Sequence, residues 1–433
     1  MKTKIEELRE IVTRRTESLK AGCVNQMILE AELTFIEKRH MEEYFMVALR
    51  LFAELKKDER ILLGPGWNWM LSSHLCYVLG LSNLSPCDID LSPIFIWGND
   101  SSDLTIGIEI DEDSFDTVFD TAVSMFGYSN VARIPVIDKS KDNKRRQNVI
   151  GNGLYVGKSY LQAYALMVCF DGIDKHYSVK DVADEHGSKY LYAYQNIGHT
   201  GNDGVLRFEV IASKKLTRIK RIQERIARNG KIAPALYEKS VNEEQYDLFY
   251  SDDLDGVPLS DWYSPKGLLK MLLPQNRIGI FKELVIIQGL LSARKHYGLY
   301  NEQVIQEEQK KHGILNILGK KMFPWGFLYK EDAAWFLCSW GGLSWKQTAQ
   351  VLLLVDEKKE LESERLKHTY LHQGMDNGLR EDELNCVWHS LFERKTKGLI
   401  PSKAHNAGLV YLSVFMAKLK HNFPEEFNAI KEE

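Results

Sequence analysis

Hydrophobic and polar residues alternate along the segment DLTIGIEID, residues 103–111, with apolar side chains at every second position. The other face carries Asp103, Thr105, Gly107, Glu109 and Asp111. Such alternation is typical of a β-strand with one face on a core and the other in water. The segment VLRFEVIA, residues 205–212, alternates in the same way and carries Glu209. The pattern predicts two strands with acidic groups on one face.

Helical periodicity governs most of the remaining chain. Residues 28–55 carry apolar positions at helix spacing and end at the Gly/Pro break of residues 62–70. Residues 114–126 return to this spacing and end at Gly127, which suits a helix C-terminus. From residue 214 onward the pattern is mainly helical, so we predict an α+β half followed by an all-α half.

Composition places the chain among ordinary folded proteins. Of its 433 residues, 44% are hydrophobic and 27% are charged, which excludes a disordered chain. No apolar run reaches the roughly 18 residues that a membrane span needs, and the charged start lacks a signal core. We therefore expect a cytoplasmic protein. The six cysteines form no CxxC pair, and His176 and the other histidines do not stand at zinc-ligand spacings, so we expect neither disulfides nor a zinc site.

Acidic residues on the two predicted strands are the first candidates for chemistry. Two-metal phosphoryl transfer needs carboxylates from adjacent strands, because Mg²⁺ prefers oxygen ligands. Glu109, Asp111 and Glu209 suit that arrangement. The alternative is a solvated strand face, on which acidic residues are common without any metal.

Basic residues form two further candidates. Arg218, Arg221, Arg225 and Arg228 are spaced three and four apart, so they share one face of a predicted helix that could follow DNA phosphates. A merely solvated face is the alternative. The loop at 138–146 is also basic, and its cations include Lys141, Lys144, Arg145 and Arg146.

The turn GPGWNW, residues 64–69, could in principle cradle a phosphate. Gly64 and Gly66 leave backbone N–H groups accessible before a helix. Trp67 and Trp69, which flank Asn68, would fill the space of a triphosphate, so packing is the stronger interpretation.

In order, these segments resemble the polymerase core of the bacterial DNA polymerase III alpha subunit, the C-family replicative polymerase. IGIEIDEDSFDTVFD is similar to the family's strand of alternating aspartates and the helix after it, and GVLRFEVIASKKLTRIKRI to the strand of the third catalytic aspartate. SKAHNAGLVYLSVFMAKLKHNFPEEF resembles the fingers and retains Lys403 and His405, which we assign to DNA binding with the arginines. The resemblance implies an N-terminal helix at 1–28, a palm at 29–132 and 161–215, a shortened thumb at 133–160 and helical fingers at 216–433. Counterparts of the family's other domains are not found, so we expect a truncated core.

Departures from the family fall where its chemistry should be. The three catalytic aspartate positions hold Gly107, Glu109 and Glu209. In the family's Gly-Arg-Gly-Ser loop, Trp67 takes the arginine position, Asn68 the second glycine and Trp69 the serine. Further cation positions hold Ser292, Leu352 and Leu353. A glycine offers no side-chain ligand, and each lost cation would have met phosphate.

Three hypotheses follow. The first is a catalytically degenerate relative that binds DNA or serves a replication or repair protein. The second is an active Mg²⁺-dependent DNA polymerase with a shifted acidic site of Glu109, Asp111 and Glu209. The third is a protein-interaction module without a nucleic-acid role, which would expose the aromatic segments WNWM and FPWGFLYKEDAAWF. Mg²⁺ is expected only in the second case.

Overall fold

The computed structural model describes most of both halves of the chain. The described residues are 2–89, 91, 93, 104–135, 163–183, 189–193, 204–237, 246–251, 253–259, 280–297, 322–323, 326–392 and 400–430.

Four helices precede the sheet: α1 (Lys4–Glu17), α2 (Gln26–Lys38), α3 (Glu42–Leu55) and α4 (His74–Leu79). Thr3 and Glu6 form a capping box that begins α1, and the Asn25 side chain caps α2. Helix α4 ends at Gly80 in the left-handed conformation, with φ of 70°. A 3₁₀ helix, Asn68–Ser72, leads into α4.

Six strands form one mixed sheet: β1 (Ile106–Ile110), β2 (Val131–Pro135), β3 (Ala163–Val168), β4 (Val179–Ala183), β5 (Lys189–Ala193) and β6 (Leu206–Ala212). Their order in space is β1-β6-β3-β2-β5-β4. Strands β1 and β6 are parallel, and β6 is antiparallel to β3. The two predicted acidic strands are therefore neighbours at one edge of the sheet.

Two helices follow strands that carry candidate residues. They are α5 (Phe115–Phe126), directly after β1, and α6 (Lys214–Arg228), directly after β6. Helix α5 ends at Gly127 with φ of 91°, as the sequence predicted. Helix α6 packs an apolar stripe into the core, and its buried members are Leu216, Ile219, Ile222 and Ile226.

The C-terminal half is mainly helical. It contains α7 (Asp247–Ser251), α8 (Ile280–Tyr297), α9 (Lys330–Ser339), α10 (Trp345–Glu357), α11 (Glu364–Asp376), α12 (Glu381–Phe392), α13 (Lys403–Asn422) and α14 (Pro424–Ala429), with one hairpin of β7 (Met322–Phe323) and β8 (Gly326–Phe327). Helix α13 joins this half to the sheet, because it packs against both α8 and the 3₁₀ helix at Asn68–Ser72. None of the helices in the described ranges is long and apolar enough to cross a bilayer.

The structure confirms the α+β class and corrects one part of the strand prediction. All five residues of β1 are buried, so neither face of this strand is in water. Glu109 is 8% exposed and Asp111 is fully buried. The face that alternation assigned to solvent is covered by the segment at 62–70 and by α6, which come from distant parts of the sequence.

Candidate active site

The register of β1 and β6 brings the family's catalytic positions together. Gly107 pairs with Glu209, and Glu109 pairs with Ile211 two residues further along the parallel strands. Since alternate residues share a face, Gly107, Glu109 and Glu209 lie on the same side of the sheet. The sequence prediction that these positions are neighbours is therefore met, but only two of the three carry a carboxylate.

Trp67 covers the first of these positions. A Cβ atom placed on Gly107 would lie 2.6 to 2.8 Å from Cβ, Cγ and Cδ1 of Trp67. The indole ring in turn makes an edge contact with the His405 ring, with centroids 5.3 Å apart. The volume that an aspartate side chain would need at residue 107 is thus filled by the tryptophan that replaces the family's loop arginine.

The GPGWNW turn lies flat on β1. The Gly64 amide donates to the Glu109 carbonyl oxygen at 2.7 Å, and a Cβ on Gly64 would lie 2.3 Å from Oε2 of Glu109. Gly66 has φ of 125°, a conformation that favours glycine. Trp69 donates from Nε1 to the Thr105 carbonyl oxygen at 2.9 Å. Both glycines permit close packing, so the packing interpretation of this turn is confirmed.

Glu109 is buried beside the start of α6. Burial raises the pKa of its carboxyl to about 7, and a hydrogen bond from the Ser213 hydroxyl and the charge of Lys215 lower the pKa against that effect. The same lysine and burial lower the pKa of His405.

Asp111 is committed to a structural network. Its carboxylate accepts hydrogen bonds from the Leu62 amide at 2.8 Å and the Ser114 hydroxyl at 2.7 Å, and it pairs with Nζ of Lys220 at 2.8 Å. Lys220 also donates to the Arg60 carbonyl oxygen. Both carboxylate oxygens of Asp111 are thus engaged by α6, by Ser114 and by residues 60–62. Asp111 therefore does not fit the role of a substitute metal ligand.

The acids consequently do not fit a two-metal centre. Within the described ranges, the carboxylates of Glu109, Asp111 and Glu209 do not form a group of three whose oxygens all lie within 4.8 Å of one another. Gly107 supplies no side-chain oxygen, and Asp111 already balances a lysine. The ion pair of Asp111 with Lys220 therefore counts against a shifted acidic site.

The four arginines on one face of α6 differ in their exposure and contacts. Arg218 is partly buried: it donates from Nη1 to the Gly256 carbonyl oxygen at 2.6 Å and lies over the Phe427 ring at 4.8 Å. Arg221 lies 3.7 Å from Asp113 with its side chain 40% exposed. Arg225 and Arg228 are exposed. Arg228 is 3.4 Å from Glu224, an exposed pair of small energetic value.

Lys403 and His405, which the sequence assigns to DNA binding, are partly buried and contact other parts of the chain. The Lys403 side chain is 15% exposed and lies 3.9 Å from Asp332. His405 packs on Trp67. Both residues begin α13, whose first turn is anchored by the Glu331 carboxylate. The predicted loop cations Lys141, Lys144, Arg145 and Arg146 lie outside the described residues.

The aromatic segments of the third hypothesis are mainly interior. Trp67 and Trp69 pack against β1, and Met70 is fully buried. In FPWGFLYKEDAAWF, Phe327 and Tyr329 are fully buried. The prediction of exposed aromatic surfaces is therefore not met where the structure describes these segments; Pro324 and Trp325 lie outside that part of the chain.

The sequence did not predict which residues contact the buried acids Asp111 and Glu109. Lys220 and Ser213 contact Asp111 and Glu109 respectively, although Lys220 lies 109 residues from its partner. No local pattern marks such a pairing. Lys220 lies on the predicted basic helix, but the spacing that predicts phosphate binding there involves only the arginines.

The comparisons with known proteins bear directly on this half of the molecule. The family model described as Bacterial DNA polymerase III alpha NTPase domain matches residues 4–233, which include the four N-terminal helices, the whole sheet and α6. None of the curated proteins matches the chain. The match spans more than half of the sequence, in agreement with the paired acidic strands and the helices around them. The chain therefore belongs to the bacterial DNA polymerase III alpha family.

Proposed function

We propose that this protein is a catalytically degenerate DNA polymerase III alpha relative that binds DNA as a scaffold for replication or repair. The observation that carries the proposal is the contact between Trp67 and Gly107. The glycine lacks the carboxylate of a metal ligand, and the indole fills the space that such a side chain would need. A single exchanged acid could reflect drift at an active site, but an indole packed over the position supports the loss of the centre itself.

The DNA-binding part of the proposal rests on the outer face of α6. Arg221, Arg225 and Arg228 follow one another at helical spacing and keep exposed side chains. A protein that neutralises phosphates releases counterions, so its affinity for DNA falls steeply with salt. Two of the three arginines face an acidic neighbour, yet such exposed pairs exchange partners at little free-energy cost.

A salt titration of DNA binding tests this surface. The triple variant Arg221→Ala, Arg225→Ala and Arg228→Ala should weaken binding to duplex DNA, and each lost phosphate contact should reduce the slope of log K against log salt by about 1. The matched control is Arg14→Ala, Arg365→Ala and Arg380→Ala, which removes the same charge from exposed sites on other parts of the chain.

The two triple variants separate a local surface from a general effect of charge. The proposal requires near wild-type binding by the control and a clear loss by the α6 variant. Equal losses in both, or a Kd that does not respond to salt, would overturn the DNA-binding role of α6.

A further inference from the structure

Three ligand-type side chains meet in the turn that follows β3, far along the sheet from Glu109. The Cys169 thiol donates to Oδ1 of Asp171 at 2.8 Å. Nε2 of His176 lies 3.0 Å from the same oxygen and 3.1 Å from Oδ2. One ligand atom from each residue lies within 4.8 Å of the other two, and within the described ranges this is the sole such group of three.

The turn holds the three side chains in place through its backbone. The Cys169 amide donates to the Asn130 carbonyl oxygen at 2.9 Å, which ties the turn to the start of β2. Gly172 has φ of 100° and allows the chain to reverse. A 3₁₀ turn, Ile173–Lys175, follows and is anchored by the fully buried Ile173. His176 is thereby returned to the cysteine and the aspartate.

We propose that Cys169, Asp171 and His176 form a Zn²⁺ site. Thiolate, imidazole and carboxylate are the ligands that Zn²⁺ takes in proteins, at bond lengths of about 2.0 to 2.3 Å. Tetrahedral geometry at these lengths separates ligand atoms by about 3.3 to 3.6 Å, so the S–O contact of 2.8 Å would open by about 0.7 Å and the N–O contact of 3.0 Å by about 0.3 Å. Ion binding would release the thiol proton and replace the hydrogen bond from sulfur to Asp171.

The fourth position of the ion would face solvent. The Asp171 side chain is 60% exposed and that of His176 is 26% exposed, whereas Cys169 is buried. Three protein ligands with one open side leave room for water. The sequence search for CxxC and HExxH spacings could not find this group, because its ligands stand two and five residues apart in a single turn. The proposal is independent of the function of the β1 and β6 site.

Co²⁺ titration of the full-length chain tests the site, because tetrahedral thiolate–Co²⁺ complexes absorb in the near ultraviolet. We expect one Co²⁺ per chain with this absorption, and its displacement by Zn²⁺. Asp171→Asn and His176→Asn should each weaken binding at least tenfold, and Cys169→Ser should abolish the absorption. Asp174→Asn, which changes an exposed acid in the same turn but outside the group, should leave binding unchanged.

Because Cys169 is buried, Cys169→Ser could disturb folding, whereas the Asp171 and His176 side chains are accessible. The two latter variants therefore keep the test decisive. A folded wild-type chain without thiolate–Co²⁺ absorption would overturn the proposal. So would absorption that Asp171→Asn and His176→Asn both retain, since the sulfur would then belong to another site.

Discussion

Gly107 and Trp67 are in direct contact, and the size of each side chain depends on the other. The glycine admits the indole, and the indole excludes any larger residue at 107. This arrangement explains why a glycine stands at the family's first aspartate position. An acid restored at that position alone would have to displace a tryptophan that packs on His405.

We predict that Gly107→Asp destabilises the protein by about 1 to 3 kcal/mol, the usual range for overpacking a well-filled core. With Trp67→Gly in the same chain, the double variant should lose less free energy than the two single variants combined, because the atoms that the new Cβ meets are absent. Urea unfolding of the wild type, both single variants and the double variant gives the coupling free energy. Strictly additive effects would contradict direct packing of residue 67 on residue 107.

Glu109 gives a second residue-scale prediction, in the pH dependence of stability. Its folded pKa of about 7 exceeds the ordinary value of 4.5, so the folded state holds the proton more tightly than the unfolded state. Stability from this group is complete below pH 4.5 and is lost as pH rises to about 7. The shift corresponds to roughly 3 kcal/mol at most.

Glu109→Gln should therefore match the wild type near pH 4 and become the more stable protein at pH 8. The difference in free energy of unfolding between the two, measured by urea titration across this range, isolates the Glu109 carboxyl from other groups. Glu59→Gln, at an exposed position, controls for the loss of a carboxylate. A glutamine variant that is less stable than the wild type at pH 8 would show that Lys215 outweighs burial.

Asp111 and Lys220 hold together the end of β1, α6 and the segment at Leu62. Their ion pair joins the end of β1 to α6, while the Asp111 carboxylate also holds the Leu62 amide. Lys220→Met should cost about 3 to 5 kcal/mol because it leaves a buried charge without its partner. Adding Asp111→Asn should recover much of the loss. If Lys220→Met alone is neutral in thermal or urea unfolding, Asp111 is not held by this lysine.

Arg218 distinguishes a structural arginine from its neighbours on the same helix. Its contacts with the Gly256 carbonyl oxygen and the Phe427 ring join α6 to the C-terminal half. Arg218→Ala should lower the free energy of unfolding by about 1 to 3 kcal/mol while leaving the salt slope of DNA binding unchanged. Arg225→Ala should reduce the salt slope of DNA binding and leave the free energy of unfolding nearly unchanged. Urea unfolding and the DNA titration compare the two variants. A reduced salt slope for Arg218→Ala would return this residue to the DNA surface.

Periodicity was sufficient to predict most elements around the site. The acidic strands, the helix after β1 and the basic helix all occur where the alternation and the helical spacing placed them. It could not predict that β1 is buried on both faces, because the cover comes from residues 62–70 and from α6. For the same reason, the sequence could not predict the internal contacts that Arg218, Lys403 and His405 make in the fold.

Over the whole molecule, the polymerase-like core is closed by contacts that link its two halves. Helix α13 packs against the 3₁₀ helix of the GPGWNW segment and against α8, so the C-terminal half lies directly over the altered centre. His405 from α13 meets Trp67 from the loop, and Trp67 meets Gly107 from the sheet. The substituted residues Gly107 and Trp67 and the retained His405 therefore form one connected, packed unit.

Primer extension tests the loss of this centre most directly. The full-length chain would be incubated with a labelled primer-template and all four deoxynucleotides, in Mg²⁺ and separately in Mn²⁺, beside an active DNA polymerase on the same substrate. We predict that the primer stays at its original length with both ions while the protein still binds the template in a salt-dependent manner. Extension by the wild type that disappears in Glu109→Gln would contradict the account, because it would show that the remaining acids still form a working site.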